Sequence, residues 1–114
     1  MYYVYMIRCR GDALYTGITP DPCRRMRAHA GGTGARYTRS HPPEALEALW
    51  RVGNRGEASR LEYALKKKLD RQRKLELIRD PGRLPELLPD LAAVGCEPVA
   101  GVTLEDLLEG RFEG

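Results

Sequence analysis

The sequence has no long hydrophobic run. Its only apolar stretch near the N-terminus ends at Arg8 and Arg10, and it is too short for a signal peptide or a membrane span. The chain has 114 residues, of which 42% are apolar and 31% charged, the composition of one soluble globular domain with a modest core. We therefore predict a cytoplasmic protein that makes no contact with a membrane.

Cysteine is scarce as well. The three cysteines, Cys9, Cys23 and Cys96, are odd in number and show no C-x-x-C spacing, which argues against a disulfide framework and against a zinc cluster. This usage fits a reducing cytoplasm, and we expect each cysteine to be a small buried hydrophobic residue.

Acidic residues are few in the first two thirds of the chain. Residues 1–79 carry 17 lysines and arginines against 8 acidic residues, a net charge of +9, whereas residues 80–114 carry 2 against 8, a net charge of −6. A strongly basic section is expected of a protein that binds nucleic acid, because neutralised phosphates release counterions. A solvated basic face on an unrelated protein would carry the same charge, so charge alone leaves both interpretations open.

The first thirty residues predict a hairpin followed by a helix. Tyr2–Cys9 and Ala13–Thr19 are rich in aromatic and branched residues and flank Gly11-Asp12, which is typical of two strands joined by a turn. Asp21 can cap a helix over residues 22–30, because proline is favoured at the first helical position and glycines follow the last.

The next fifty residues combine a loop, a strand and two helices. Residues 31–43 are predicted to form an irregular, basic, glycine-rich loop. Residues 45–52 are a candidate third strand, although their pattern would also permit a short helix. Leucines at four-residue spacing predict a helix over residues 57–69, and a further helix is predicted over residues 71–78.

Asp80-Pro81-Gly82 marks a break, after which the chain becomes acidic and rich in leucine and proline. Residues 80–114 are too few for an independent domain, and we expect a C-terminal helical extension packed on a domain of residues 1–79. Thr103 and Asp106 stand in a capping relation within it. Its negative charge leads to two hypotheses: it folds over the basic surface and competes with nucleic acid, or it recruits a protein partner.

Five features of the basic section stand in an informative order. Two tyrosine triplets are followed by an arginine, a histidine and a lone glutamate: Tyr3-Val4-Tyr5, Tyr15-Thr16-Gly17, Arg25, His29 and Glu62. Taken singly, each can be interpreted as a structural or surface residue, since tyrosines are ordinary strand residues and the others suit a helix surface. In this order and at these spacings, they resemble the GIY-YIG nuclease domain, and the resemblance covers residues 2–79.

These residue types suit hydrolysis of a phosphodiester bond, which needs a deprotonated water and stabilised charge on the phosphate oxygens. The Glu62 carboxylate is a ligand type suited to Mg²⁺ or Mn²⁺, and Arg25 offers a planar fork to a phosphate. Tyr5 and Tyr15 lie on neighbouring strands and can point at one site. A phenol has a pKa of about 10, so it needs nearby cations to act as a base. His29 is placed to orient Tyr5 or to share the proton transfer.

The resemblance implies more about fold and activity than the spacings do. It implies a small three-stranded antiparallel sheet flanked by helices, in an endonuclease that uses one divalent metal, Mg²⁺ or Mn²⁺, to cut DNA in repair or processing. It makes Tyr5 the general base, Tyr15 and Arg25 catalytic residues, and Glu62 the metal ligand. His29 occupies a position where the family carries histidine or tyrosine.

Other positions both match and depart from the family pattern. Gly17 matches the glycine of the second triplet, which allows close backbone approach. Tyr3 replaces the glycine of the first triplet, as in the small stand-alone bacterial members, and Ile18 replaces a lysine of excision-repair relatives. Several family members have an asparagine after the glutamate, whereas this chain has none after Glu62. The alternative is therefore a nucleic-acid-binding module with the nuclease fold and little or no catalysis.

Nucleic-acid contacts are predicted for basic and aromatic residues near these motifs: Arg24, Arg27, Arg36, Tyr37, Arg39, Lys66 and Lys67. Tyr37 can stack on an unpaired base, and the cations can follow a phosphate backbone, although the lysines also suit a plain solvated face. No helix-turn-helix or zinc-finger pattern is evident. We therefore predict binding to DNA through charge and shape with weak sequence preference, and a preference for single strands or branches stays open.

Overall fold

The centre of the fold is one antiparallel sheet of four strands. In the computed structural model, which describes residues 1–112, the strands are β1 (Tyr2–Cys9), β2 (Ala13–Thr19), β3 (Pro43–Val52) and β4 (Glu97–Pro98). Their order is β2-β1-β3-β4, so β1 lies between β2 and β3. The α+β class is as predicted. Residues 113–114 of the predicted extension lie outside the described residues.

The fourth strand corrects the prediction of a three-stranded sheet. β4 contributes two residues, paired as Trp50 with Pro98 and Arg51 with Glu97. A strand this short has no alternating pattern to detect, and proline suits an edge position because it cannot donate a ladder hydrogen bond. This strand belongs to the extension, which was predicted to be helical.

The β1–β2 hairpin forms where the sequence predicts it. Tyr5 pairs with Gly17 across the two strands, and the turn contains left-handed backbone at Gly11 (φ 86°) and Asp12 (φ 64°). Glycine adopts this conformation without steric cost, and aspartate is one of the few other residues that tolerate it. The turn therefore fixes the register that brings the two tyrosine triplets side by side.

Helices cover both faces of the sheet. They are α1 (Pro22–Ala30), α2 (Arg36–Ser40), α3 (Arg55–Lys67), α4 (Arg71–Arg79), α5 (Leu84–Leu87) and α6 (Leu104–Leu108). Side chains cap several of their first turns: Asp21 accepts from the Arg24 amide, and Thr103 with Asp106 forms the capping box that the sequence indicates.

Two helices differ from the predictions, and one segment that was left open between strand and helix is settled. Residues 36–40 form α2 inside the stretch predicted as a loop, because Thr38 is fully buried and hydrogen-bonded to a residue of α1. α3 begins and ends two residues earlier than predicted, because Asn54 caps it by accepting from the Glu57 amide. The segment that permitted a strand or a short helix is the strand β3.

The sheet separates two hydrophobic cores. On one face, Trp50 belongs to a buried cluster with Leu61 of α3. On the other face, Ile7 belongs to a cluster with Met26 of α1 and Leu107 of α6. Because β1 is central and strand side chains alternate, its residues feed both cores.

The C-terminal extension contributes to both cores. Leu84, Leu88 and Leu91 are buried in the cluster that includes α3, and Leu107 is fully buried in the other cluster. Deletion of residues 81–114 would therefore expose both cores. A change in nucleic-acid binding after such a deletion would not by itself show that the extension competes with nucleic acid for the basic surface.

Two carboxylates of the extension form ion pairs with the basic section. Asp90 lies 3.1 Å from Lys68, and Glu97 lies 3.7 Å from Arg51. Both carboxylates are largely exposed, and exposed ion pairs contribute little to stability. Burial of leucines, rather than charge, dominates the attachment of the extension.

Two further sequence predictions can be compared with the structure. The longest helix within residues 1–112, α3, has 13 residues, which is too few to span a membrane. Cys9 is buried as predicted, whereas Cys23 and Cys96 are partly exposed, and the three are free thiols.

Leu107 offers a test of how firmly the extension is joined to the sheet. We expect Leu107→Ala to lower the free energy of unfolding by about 2–4 kcal/mol, because the truncation leaves a cavity in the core. Glu105→Ala, on the exposed side of the same helix, should change it by less than about 1 kcal/mol. Urea denaturation followed by circular dichroism measures both, and equal stability of the two variants would contradict this packing.

Candidate active site

Two glycines make room for the central side chains of the site. A Cβ atom on Gly17 would collide with the Tyr5 hydroxyl, and one on Gly34 would collide with Nδ1 of His29. Neither glycine has a positive φ, so the need is for space rather than for an unusual backbone. The close approach predicted at Gly17 is thus made by the Tyr5 side chain.

Tyr5, His29 and Thr38 form a buried chain of hydrogen bonds. The Tyr5 hydroxyl lies 2.7 Å from Nε2 of His29, and Nδ1 of His29 lies 2.7 Å from Oγ1 of Thr38. Tyr5 and His29 are each 1% exposed, and Thr38 is fully buried. Three elements of the fold, β1, α1 and α2, meet at this chain.

The direction of these hydrogen bonds follows from Thr38. Its hydroxyl carries one proton, which it donates to the carbonyl oxygen of Ala35 at 2.9 Å. Oγ1 must therefore accept from Nδ1–H of His29, which leaves Nε2 as the acceptor of neutral imidazole. The Tyr5 hydroxyl accordingly donates to His29, and its oxygen lone pairs are left for other partners.

Burial moves the pKa values of Tyr5 and His29 away from neutral pH in opposite directions. It lowers the pKa of His29 to about 4, with a further contribution from the nearby positive charge of Arg25. Burial also raises the pKa of Tyr5 to about 12, although the nearby Arg25 guanidinium opposes this rise. The resting site therefore holds a neutral phenol that points its proton at a neutral imidazole.

Arg25 connects the two tyrosines. Hydrogen bonding to Tyr5, with a smaller contribution from Tyr15, raises the pKa of Arg25, so its guanidinium stays charged. The Glu62 carboxylate is close enough for its charge to raise the pKa of Tyr5. The structure thus brings together the five predicted residues Tyr5, Tyr15, Arg25, His29 and Glu62.

Glu62 is the carboxylate that the sequence predicts as the metal ligand. Its side chain is about one quarter exposed, and its Oε2 lies 3.3 Å from Nζ of Lys66, so the plain i,i+4 pair is also formed. Residues 1–112 contain no group of three or more His, Cys, Asp or Glu side chains that would enclose a metal. One carboxylate suits Mg²⁺, which usually keeps several waters and takes other ligands from phosphate.

A row of aromatic rings extends from the site to the surface. The rings of Tyr15 and Tyr37 are nearly parallel, with centroids 6.1 Å apart, and Tyr37 stacks on His41 with centroids 4.3 Å apart. Tyr37 is 39% exposed, and Lys66 lies over the Tyr15 ring at 5.8 Å. We call Tyr15, Tyr37 and His41 the aromatic row.

The remaining predicted contacts lie in different settings. Arg24, Arg36, Arg39 and Lys67 are exposed. Arg27 is also exposed, but its Nε donates to the carbonyl oxygen of Leu108 at 2.9 Å, so it joins α1 to the extension. Nucleic-acid binding by these residues stays a prediction.

Thr38 and His41 have no counterpart among the predicted site residues. Both depend on α2, whose first residue follows Ala35, and Ala35 provides no side-chain cap. Without a cap signal, the helical spacing of Tyr37 and His41 could not be read from the sequence.

Comparison with known proteins agrees with this geometry. A sequence model of the GIY-YIG catalytic domain matches residues 1–76. The chain belongs to the GIY-YIG family. The match includes Tyr5, Tyr15, Arg25, His29 and Glu62, and it ends before the C-terminal extension.

Within the GIY-YIG family, the similar proteins are small bacterial proteins named UPF0213. One from Xanthomonas campestris is 44% identical over 90 residues, covering 78% of this chain and 87% of its own. One from Aeromonas salmonicida is 37% identical over 110 residues, covering 90% of this chain and 80% of its own. The solution NMR structure of a UPF0213 protein from Bacillus halodurans covers 81% of this chain and 98% of its own, with 39% identity and a TM-score of 0.47.

Thr38→Val tests the inferred direction of the hydrogen-bond chain. It removes the acceptor for His29 Nδ1–H, so we expect His29 to shift toward the Nε2–H tautomer, which can donate to the Tyr5 oxygen. The free energy of unfolding should fall by about 1–3 kcal/mol, because a buried polar group loses its partner. Long-range ¹H–¹⁵N spectra of the imidazole report the tautomer. Thr38→Ser should keep the wild-type tautomer, and an unchanged tautomer in the valine variant would contradict the chain.

The buried His29 predicts a specific dependence of stability on pH. Its pKa is about 4 in the folded state and about 6.5 when unfolded, so the unfolded state binds more protons between these values. Stability should therefore decrease as the pH falls from 6.5 to 4, by at most about 3 kcal/mol, with no contribution from this group above that window. Urea denaturation from pH 4 to 8 should show a shallower decrease for His29→Gln. Parallel pH curves for the two proteins would argue against a depressed pKa.

Proposed function

We propose that this protein is a metal-dependent endonuclease that hydrolyses DNA phosphodiester bonds, in DNA repair or processing in the cytoplasm. The observation that carries the proposal is the Tyr5 phenol, which lies 2.7 Å from Nε2 of His29 and directs its proton there, while burial raises its pKa and the positive charge of Arg25 lowers it. Burial by itself requires one partner for the phenol, which His29 provides, whereas a partly buried cation beside the same phenol is not needed for packing.

The chain's own residues supply a proton path for hydrolysis. Tyr5 accepts a proton from the attacking water as its own proton passes to Nε2 of His29, so that imidazolium forms and the phenol is regenerated. The attacking oxygen forms its bond to phosphorus, and the bond to the leaving oxygen breaks. Arg25 holds the phosphate oxygens on which negative charge accumulates.

The same proton path is closed in the resting protein. Burial raises the pKa of Tyr5 and lowers that of His29, so proton transfer from the phenol to the imidazole is unfavourable in the resting protein. A divalent cation held by Glu62 would supply positive charge that stabilises a phenolate and the phosphate oxygens. We infer that two positive charges make Tyr5 a base: that of Arg25 and that of the cation that Glu62 would hold.

The aromatic row favours substrates with unpaired bases. Tyr37 is partly exposed beside the site, and its ring is already oriented by Tyr15 and His41. A base stacked on such a ring gains about 1–3 kcal/mol in proteins that bind single strands. Arg36 and Arg39, exposed on the same short helix, are available for the flanking phosphates.

A nucleic-acid-binding module with little catalysis is the second candidate. The observation that favours it is the ion pair between Glu62 and Lys66, since a cation must compete with Lys66 for the carboxylate. Arg25→Ala separates the two functions, because an enzyme should lose cleavage while it keeps much of its binding.

Glu62→Ala tests the proposed catalysis. We expect wild-type protein to cut labelled single-stranded or flapped DNA with Mg²⁺ or Mn²⁺, and Glu62→Ala to cut at least about 100-fold more slowly because the cation loses its protein ligand. Duplex DNA and single-stranded RNA complete the substrate panel. Glu44→Ala removes the same charge at an exposed position of β3 and should cut like wild type. Equal cutting by Glu62→Ala and wild type would contradict the proposal and indicate a contaminant.

A further inference from the structure

A groove of about 500 Å³ opens beside the site, between the first turns of α1 and α3. Arg24, Arg25 and Arg55 line it, together with apolar surface from Tyr2 and Ile18. Its size falls within the roughly 300–1,000 Å³ of ordinary ligand sites. None of the residues of the aromatic row lines it, so the groove is a second surface, which reaches the reactive centre through Arg25.

The three arginines of the groove form no ion pairs within residues 1–112. Among residues 1–112, no carboxylate lies within ion-pair distance of Arg24, Arg25 or Arg55. Asp21 also lines the groove, but its Oδ1 accepts a hydrogen bond from the Arg24 amide at the start of α1. The groove therefore holds three positive charges against one negative charge.

Arg55 does not stabilise the helix that carries it. It is the first residue of α3 and it is exposed, and a cation at this end of a helix opposes the helix dipole. Arg55 nevertheless lines a cleft that Arg24 and Arg25 also line. Mutual repulsion of the three cations would be relieved by an anion with several charged oxygens.

We propose that this groove binds the nucleotide next to the cleaved bond, with Arg55 on its phosphate and the apolar wall against its sugar and base. The inference rests on the proposed nuclease function of the neighbouring site. Arg25 lines the groove and its charge also acts on Tyr5, so a strand that reaches Tyr5 can continue into the groove past Arg24 and Arg55. Cations and apolar surface in one cleft match the two chemical parts of a nucleotide.

Arg55→Ala and Arg60→Ala form a matched pair for testing the groove. Both remove one exposed arginine from α3, but Arg60 lies outside the groove. With a labelled single-stranded oligothymidylate in metal-free buffer, Arg55→Ala should weaken binding about tenfold and reduce the salt slope by about 0.7, whereas Arg60→Ala should stay within about twofold of wild type. Arg55→Lys should fall between them, because it keeps the charge and loses the fork.

A neutral linkage in the substrate locates the contact. In oligonucleotides with one methylphosphonate, wild-type cutting should fall about tenfold at the bond next to the neutral linkage. Arg55→Ala should show no further loss there, since the contact is already missing. The inference would be overturned if the loss from Arg55→Ala and the loss from the neutral linkage multiplied at every position of the linkage. Equal binding losses in Arg55→Ala and Arg60→Ala would also overturn it.

The outcomes also separate the groove from the nuclease function. If wild type cuts DNA and the two arginine variants bind alike, the groove inference fails and the nuclease proposal stands. If wild type does not cut but Arg55→Ala alone weakens binding, the groove is supported as a strand-binding site and the catalytic proposal fails.

Discussion

The structure depends on one buried chain of hydrogen bonds, from Tyr5 through His29 to Thr38. Each buried polar side chain needs a partner, and here each supplies the partner of the next. The three residues come from β1, α1 and α2, so the hydrogen bonds also fix how these elements meet. The space that the chain requires is left by Gly17 and Gly34.

The burial that orders this chain also sets its chemistry. Removal from water moves the pKa values of Tyr5 and His29 apart, so neither group is charged at rest. Arg25 is the charged group that interacts with the Tyr5 oxygen, and Glu62 raises the pKa of Tyr5 from nearby. The pKa values in a site of this kind change when positive charge is added or when an anion binds. A metal ion would add positive charge, and a DNA backbone would supply an anion.

The face of the sheet that holds the site is not closed by the family domain alone. Tyr5 belongs to the same buried cluster as Met26 of α1 and Leu107 of α6, and the family match ends at residue 76. Arg27 adds a hydrogen bond from α1 to the carbonyl oxygen of Leu108. The extension therefore packs against α1, the helix that carries Arg25 and His29. We propose that residues 1–79 and the extension act as one folding unit.

Much of the site follows from local sequence. Gly11-Asp12 sets a turn whose register places Tyr5 opposite Gly17, and the Asp21 cap starts a helix on which Arg25 and His29 share a face. Local periodicity and capping act over a few residues, and a sequence displays them directly. The hairpin and α1 followed from such signals, whereas the family followed from the resemblance of five features in order along the chain.

The remaining features were decided by tertiary structure. No sequence signal marks Thr38 or Arg55 as a site residue. Thr38 is hydrogen-bonded to His29, nine positions away, and Arg55 lines a cleft with residues of α1. β4 is too short to have a pattern, and its pairing with Trp50 and Arg51 requires the extension to return to the sheet edge. The sequence by itself determined which chemical groups are present and which share a local element. Packing alone decided which of them are buried together, because desolvation and hydrogen-bond direction depend on neighbours from distant parts of the chain.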